Sequence, residues 1–340
     1  MPASLPSIDD LRASARRWFP GVLLCATIGA AASFLGNHYG APVMLFALLL
    51  GIAFNFLATD ANCQPGVDLS AKILLRLGVG LLGVRVVLDD IAAFGFAGLA
   101  ALAGLMALTI ATGFVAARLF ARQWRFALLT GGAVAICGAS AALAIAAVIP
   151  HNDKTERNTL FTVVAVTSLS TVAMVAYPIL FGALDFSDLQ AGFLIGATIH
   201  DVAQVVGAGY SVSEAAGDTA TMTKLFRVAL LPVVLMAIVL VLRASGAGRE
   251  GAKVPLLPWF MVLFLILSAL VSFDLLPAMV IAALDTVSRV LLVTAIAALG
   301  IKTSLRAMTE VGGGHIAVVT LETLVLLAAA IALILVWPVI

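Results

Sequence analysis

The densest concentration of chemically capable side chains lies in GATIHDVAQVVGAG, residues 196–209. His200 and Asp201 put an imidazole beside a carboxylate, and Gln204 follows on the same face as His200 if a helix is continuous there. Such groups are costly inside an otherwise apolar stretch, so they point either to a functional site or to a buried polar lock between helices. Asp201 can orient His200, accept a coupling proton or coordinate a cation. His200 can meet an anion when charged. A second candidate is GAVAICGASAA, residues 132–142. Its small residues leave the main chain accessible. Amides freed at a helix break around Cys137, Gly138, Ala139 and Ser140 could bind sulfate-like, carboxylate or phosphate oxygens without a buried full charge. The bland alternative is close helix packing through small residues. Arg85 and Lys302, each following a Leu-Gly pair and one aliphatic residue, complete the set as substrate contacts or as snorkelling topology markers.

The elements that must position these residues are membrane helices. With 63% hydrophobic and 11% charged residues in a chain of 340, there is no way to make a soluble globule. Residues 18–59, 91–117, 126–152 and 158–184 contain no Asp, Glu, Lys or Arg. Each is long enough for a hydrocarbon layer that takes roughly 20 helical residues. Eleven apolar segments result: 19–36, 41–58, 71–88, 96–118, 127–149, 158–181, 190–211, 225–243, 257–273, 286–304 and 315–338. Helix is forced in each, because backbone amides in lipid must pair within their own segment. The fold expected is an all-α polytopic membrane protein of 9–11 transmembrane segments. It forms a single domain over 1–340 with no soluble part. Segment 19–36 follows Arg12, Arg16 and Arg17 and is read as a retained first helix.

A duplication runs through the chain at a constant offset. Asp68, Lys72, Leu82, Gly83, Val84, Arg85, Leu88 and Gly95 are answered by Asp285, Arg289, Leu299, Gly300, Ile301, Lys302, Leu305 and Gly312. Such a pattern is the usual trace of a transporter built from two related halves. The halves expected are 41–181 and 190–338, as inverted repeats, with a cytoplasmic N-terminal segment over 1–18. Basic residues place the N-terminus and the Arg118/Arg122/Arg125 cluster in the cytoplasm. Eleven full crossings would put Asp185 and Asp188 inside and Lys154 and Arg157 outside, against that rule. Making 127–149 and 190–211 broken or re-entrant elements corrects this. Glu322 has no counterpart in the first half, where position 105 is Leu, and is read as a proton gate or a packing hydrogen bond.

Cys25, Cys63 and Cys137 are too far apart for a metal cluster or a disulfide framework, and free thiols are expected. There is no metal-ligand spacing and no nucleotide-binding glycine loop beside a lysine. No metal, cofactor or nucleic-acid partner is therefore expected, and an enzyme built on a Cys137–His200 pair is the weaker reading.

Residues 75–91 (LRLGVGLLGVRVVLDDI), 132–142 and 196–209 closely resemble the sulfate exporter family of YeiH-like bacterial membrane proteins. The likeness covers nearly the whole chain and ends in ALGIKTSL, residues 298–305. The resemblance implies a multi-pass secondary transporter of the bacterial inner membrane, distantly like the cation/proton antiporter type of fold with crossed, interrupted helices. Together with the residues, it leads to an exporter of a small anion, sulfate or a related sulfur oxyanion or organosulfonate, working by alternating access. The substrate would be held by Cys137, Gly138, Ala139, Ser140, His200, Gln204, Arg85 and Lys302. Asp201 with His200 would couple transport to a proton or sodium ion. A homodimer in the bilayer is one expected assembly. The alternative is a cation/proton antiporter that uses Asp201 as its exchange carboxylate.

Overall fold

The computed structural model describes residues 8–39, 42–86, 88–150, 154–245, 258–303 and 314–336. Among them all regular structure is helical. The chain runs through α1 (Ile8–Tyr39), α2 (Val43–Ala53), α3 (Gln64–Leu69), α4 (Leu75–Leu81), α5 (Leu88–Leu119), α6 (Trp124–Ala135), α7 (Ala139–Val148) and α8 (Thr155–Ala183). It continues through α9 (Asp188–Thr198), α10 (Val202–Val212), α11 (Glu214–Ala229), α12 (Leu231–Ala244), α13 (Trp259–Ser272), α14 (Ala278–Lys302) and α15 (Gly314–Val336). Among the described residues six stretches are long and apolar enough to cross a membrane: Arg16–Tyr39, Phe94–Leu119, Thr155–Ala183, Glu214–Ala244, Ala278–Lys302 and Ile316–Val336. Shorter apolar helices accompany them at Val43–Ala53, Ala139–Val148, Val202–Val212 and Trp259–Ser272. Large apolar side chains such as Phe96, Met279 and Val241 stand on the outside, as they do where the solvent is lipid. The protein is an all-α polytopic membrane protein.

Segment boundaries move where tertiary structure continues a helix past its apolar part. The first helix starts at Ile8 rather than at residue 19. The eighth segment, expected over 225–243, begins instead at Glu214, because Ser213 caps α11 by accepting from the Ala216 N–H at 3.1 Å. The chain then passes through Leu230 into α12, whose Pro232 sits in the first turn, where its missing N–H is harmless. That shift brings Lys224 inside a membrane-spanning stretch. The repeat positions Leu305 and Gly312 lie outside the described residues.

The chain divides into two compact units, residues 1–85 with 263–304 and residues 86–262 with 305–340. In the first unit α14 packs on α1, α2 and α4. Two matched glycines set the closeness. A Cβ at Gly300 would stand 2.4 Å from the Leu48 carbonyl oxygen on α2, and one at Gly83 would stand 2.2 Å from the Phe264 carbonyl oxygen on α13. Ion pairs follow the same reciprocity: Arg85 bonds Asp285, and Lys302 bonds Asp68. Arg85 and Lys302 thus each meet the acidic residue of the other copy, while Arg289 bonds Asp285 within its own copy at 3.2 Å.

In the second unit α11 packs on α9 and α10, α5 packs on α6 and α15, and α8 touches α6, α7 and α10. Gly192 and Gly196, one turn apart, let α9 press its backbone onto α11. Added Cβ atoms there would come within 2.6 and 2.5 Å of the Ala216 and Ala220 carbonyl oxygens. α9 begins with a reciprocal cap, in which Ser187 accepts from the Gln190 N–H at 3.3 Å and Gln190 accepts from the Ser187 N–H at 3.1 Å.

Candidate functional site

Both segments singled out by their composition are interrupted, and both interruptions lie in the second unit. α6 stops at Ala135. Ile136 takes φ −112° and ψ −84°, and Gly138 turns the chain at φ 64° and ψ −124° before α7 starts. Only a residue without a Cβ adopts that conformation readily. α9 stops at Thr198, and Ile199 and Asp201 are extended before α10 starts. The two breaks touch: the Cβ position of Gly138 is 3.5 Å from the His200 Cβ and from its carbonyl oxygen.

A helix that stops inside a membrane leaves its last carbonyls without intrahelical partners. Two cations on α11 answer them. Lys224 Nζ donates to the Ile136 carbonyl at 2.7 Å and to the Ile199 carbonyl at 2.9 Å, joining the two breaks. Arg227 directs all three nitrogens at the same ends. Nε reaches Ala135 at 3.0 Å, Nη1 reaches Gly196 at 3.0 Å and Ile199 at 3.2 Å, and Nη2 reaches Val134 at 2.8 Å and Ala135 at 2.6 Å. Lys224 is 0% and Arg227 1% exposed, and neither is ion-paired with a carboxylate among the described residues. Sequence reasoning missed both, because Lys224 fell at a segment edge and Arg227 was absorbed into the apolar run 225–243. Two cations one turn apart, directly before the 15 uncharged residues 228–242, would have been the signal.

His200 is wholly buried in the second break. Its Nε2 lies 3.0 Å from Thr323 Oγ1, and the Thr323 hydroxyl donates to the Val319 carbonyl at 2.8 Å. With its hydrogen committed to Val319, Thr323 accepts from the ring. The ring then donates through Nε2, and Nδ1 is buried without a hydrogen bond. No Cys137–His200 hydrogen bond forms. Helix continuity between His200 and Gln204 is absent, since α10 starts only at Val202. Gln204 stands in its first turn, 6% exposed, with Oε1 buried and unbonded. Asp201 is half-buried. It caps α10 by accepting from the Ala203 N–H at 3.1 Å, and its own N–H donates to Ser170 Oγ at 3.1 Å. Thr221 and Thr223 add two buried hydroxyl oxygens without partners.

The other expected residues are distributed as follows. Cys137 and Gly138 are buried at the first break, Ala139 is half-buried, and Ser140, in the first turn of α7, is exposed. Arg85 and Lys302 belong to the first unit, where carboxylates occupy them. Glu322, fully buried on α15, accepts from the Thr130 hydroxyl at 2.8 Å through Oε1. Gly113 leaves it room, since a Cβ there would stand 2.7 Å from that oxygen. Its Oε2 has no partner. Among the described residues, the two breaks bring together the two cations of α11, the starts of two half-helices, His200 and Asp201.

Comparison with known proteins adds the family. A UPF0324 membrane protein named TauZ, from Paracoccus denitrificans, is 53% identical over 311 residues, covering 91% of this chain and 92% of its own. A UPF0324 membrane protein of Rhizobium meliloti is 51% identical over 307 residues, covering 90% and 89%. One from Chlorobaculum tepidum is 46% identical over 312 residues, covering 91% and 87%. No solved structure matches. The family described as Conserved hypothetical protein 698 matches residues 20–319, which takes in both breaks and both cations of α11. The chain belongs to that family, among relatives that are membrane proteins of the UPF0324 group.

Proposed function

We propose that this protein is a secondary transporter that exports a small anion, sulfate or a related sulfur oxyanion or organosulfonate, by alternating access. The observation that carries the reading is the pair Lys224 and Arg227, buried at two touching helix breaks and without a carboxylate partner among the described residues. Each helix end carries roughly half an elementary charge, negative at the two C-termini and positive at the two N-termini. Those contributions offset one another, which leaves Lys224 and Arg227 facing Asp201 among the described residues and a site poised for an anion. Lys224 spends two of its three N–H groups on carbonyls. The third, with the amides at the start of α7, is suited to an oxyanion. Gln204 and the Thr221 and Thr223 hydroxyls supply neutral contacts.

Asp201, at the start of α10, and His200 are the coupling pair in this reading, taking up a proton or a sodium ion as the anion moves. The membrane is the bacterial inner membrane, with the N-terminus cytoplasmic. Reconstituted protein should carry radiolabelled sulfate, sulfite or a sulfonate across liposomes, and His200→Ala or Gln204→Ala should reduce that flux at least tenfold. Wild-type rates from both variants would remove the site. Sodium- or pH-driven cation exchange indifferent to every oxyanion would replace the proposal with a cation/proton antiporter using Asp201.

A further inference from the structure

A second cationic feature lies where α5 turns into α6, and the transport reading does not use it. Arg118 closes α5, Arg122 occupies the turn, and Arg125 sits in the first turn of α6. No Asp or Glu occurs anywhere in residues 94–150. None of the three guanidinium groups is ion-paired among the described residues. The Nε atoms of Arg122 and Arg125 are buried and have no hydrogen-bond acceptor. A buried N–H of a charged group left unpaired is strongly unfavourable, so an acceptor supplied from outside the chain resolves it.

The same turn encloses a cavity of about 470 Å³ lined by Phe114, Val115, Arg118, Arg122 and Trp124, among others. Arg118 and Arg122 make its lining basic, Phe114, Val115 and Trp124 make it apolar, and Arg125 does not line it. Phe114 and Val115 are exposed on the last turns of the stretch Phe94–Leu119, which is long and apolar enough to span the membrane. Trp124, whose ring lies 4.9 Å from the Arg125 guanidinium carbon, is the residue type that settles at the boundary between head groups and acyl chains. The first turn of α6 adds the positive end of a twelve-residue helix.

We infer that this cavity binds the phosphodiester head group of an anionic membrane phospholipid. Phosphate oxygens accept from the forked guanidinium groups of Arg118 and Arg122, and an acyl chain lies along Phe114 and Val115. Charge complementarity selects an anionic lipid over a zwitterionic one, and the apolar wall selects a lipid over a free anion. Basic residues at this turn place the site in the cytoplasmic leaflet.

The test uses full-length protein in a neutral detergent, with thermal unfolding followed against added cardiolipin, phosphatidylglycerol, phosphatidylcholine or inorganic phosphate. Cardiolipin and phosphatidylglycerol should raise the midpoint of the wild-type protein, and phosphatidylcholine and phosphate should not. Each arginine near an anionic surface is worth roughly fivefold in affinity, so Arg118→Gln with Arg122→Gln should weaken the lipid response by roughly tenfold or more. Arg243→Gln, an exposed arginine at the end of α12, should leave it unchanged. Equal stabilisation by phosphate would make this a soluble-anion site and overturn the proposal, as would a full lipid response from the double variant. If the double variant does not fold, native mass spectrometry of lipid retained by Arg122→Lys and by Arg122→Gln decides. The lysine form should keep more anionic lipid than the glutamine form, and equal retention would refute the site.

Discussion

Lys224 and Arg227, one turn apart on α11, both donate to the carbonyl oxygen of Ile199, at 2.9 and 3.2 Å. One carbonyl serves two cations because α9 ends there and its last acceptors face a helix that carries donors instead of leucines. The two do different work. Arg227 has all its nitrogens bonded to main chain and acts as a clamp, whereas Lys224 keeps one donor in reserve.

Arg227→Met should therefore destabilise the protein by about 3 kcal/mol or more, because at least three carbonyls lose their donor in a water-poor interior. Lys224→Met should cost about 2 kcal/mol yet abolish anion-induced stabilisation. Thermal unfolding with and without sulfite or a sulfonate separates the two effects.

Gly138→Ala places a side chain on a backbone at φ 64° and ψ −124°. The space is adequate, since the nearest atoms are 3.5 Å away, so the penalty is conformational and about 1–3 kcal/mol. A lower thermal midpoint together with altered flux is expected. Gly196→Val meets main chain at 2.5 Å from the Cβ position and should prevent α9 from docking on α11 altogether, read as loss of monodisperse protein on size exclusion.

Gln204→Glu brings a second carboxylate to the start of α10 beside Asp201. Anion affinity should fall at least tenfold while Gln204→Asn retains part of it, both read by ligand-induced thermal shift. An unaltered shift in the glutamate variant would place the anion elsewhere.

Arg85 and Lys302 should differ in their weight. The Arg85–Asp285 pair is 12% and 27% exposed, against 37% and 38% for Lys302–Asp68. Arg85→Gln should cost more than Lys302→Gln, which falls in the range of about 0.2–1 kcal/mol for exposed pairs. A charge swap of Arg85 and Asp285 should recover part of the loss, measured by denaturant or thermal unfolding.

Asp60, between α2 and α3, accepts from the backbone N–H of Cys63 at 2.9 Å and of Asn62 at 3.0 Å, and these bonds hold its carboxyl below the ordinary value. A depressed folded-state value means that the contribution is complete above the unfolded pKa, about 3.9, and disappears as pH falls through the folded one. The protection of the Asn62 and Cys63 amides, taken relative to their intrinsic exchange rates, should fall in acid, and Asp60→Asn should remove that pH dependence.

The membrane class and the two breaks were legible because their signals are local. Charge-free runs force helix, and GAVAICGASAA and GATIHDVAQVVGAG carry residues a continuous apolar helix has no use for. The partners of the breaks were not legible. Lys224 lies in TATMTKLFRV, which reads as the polar start of a span until Ser213 is seen to cap a helix ten residues earlier. For Arg85 and Lys302 the sequence leaves substrate contact and topology marker open, because their acidic partners lie in the opposite copy of the motif, and sequence offset alone does not show cross-pairing. His200 and Gln204 share a helical face only in a continuous helix, and the break before Val202 interrupts it.

The reciprocal ion pairs impose an order on biogenesis. Arg85 is 200 residues from Asp285 and Asp68 is 234 from Lys302, with nearly the whole second unit translated in between. At typical synthesis rates the nascent chain holds Arg85 and Asp68 in the bilayer for about 10–40 s before their mates emerge. The first unit is thus begun early and closed last, and a ribosome that stalls within the second leaves an orphaned charge of each sign for quality-control proteases to find.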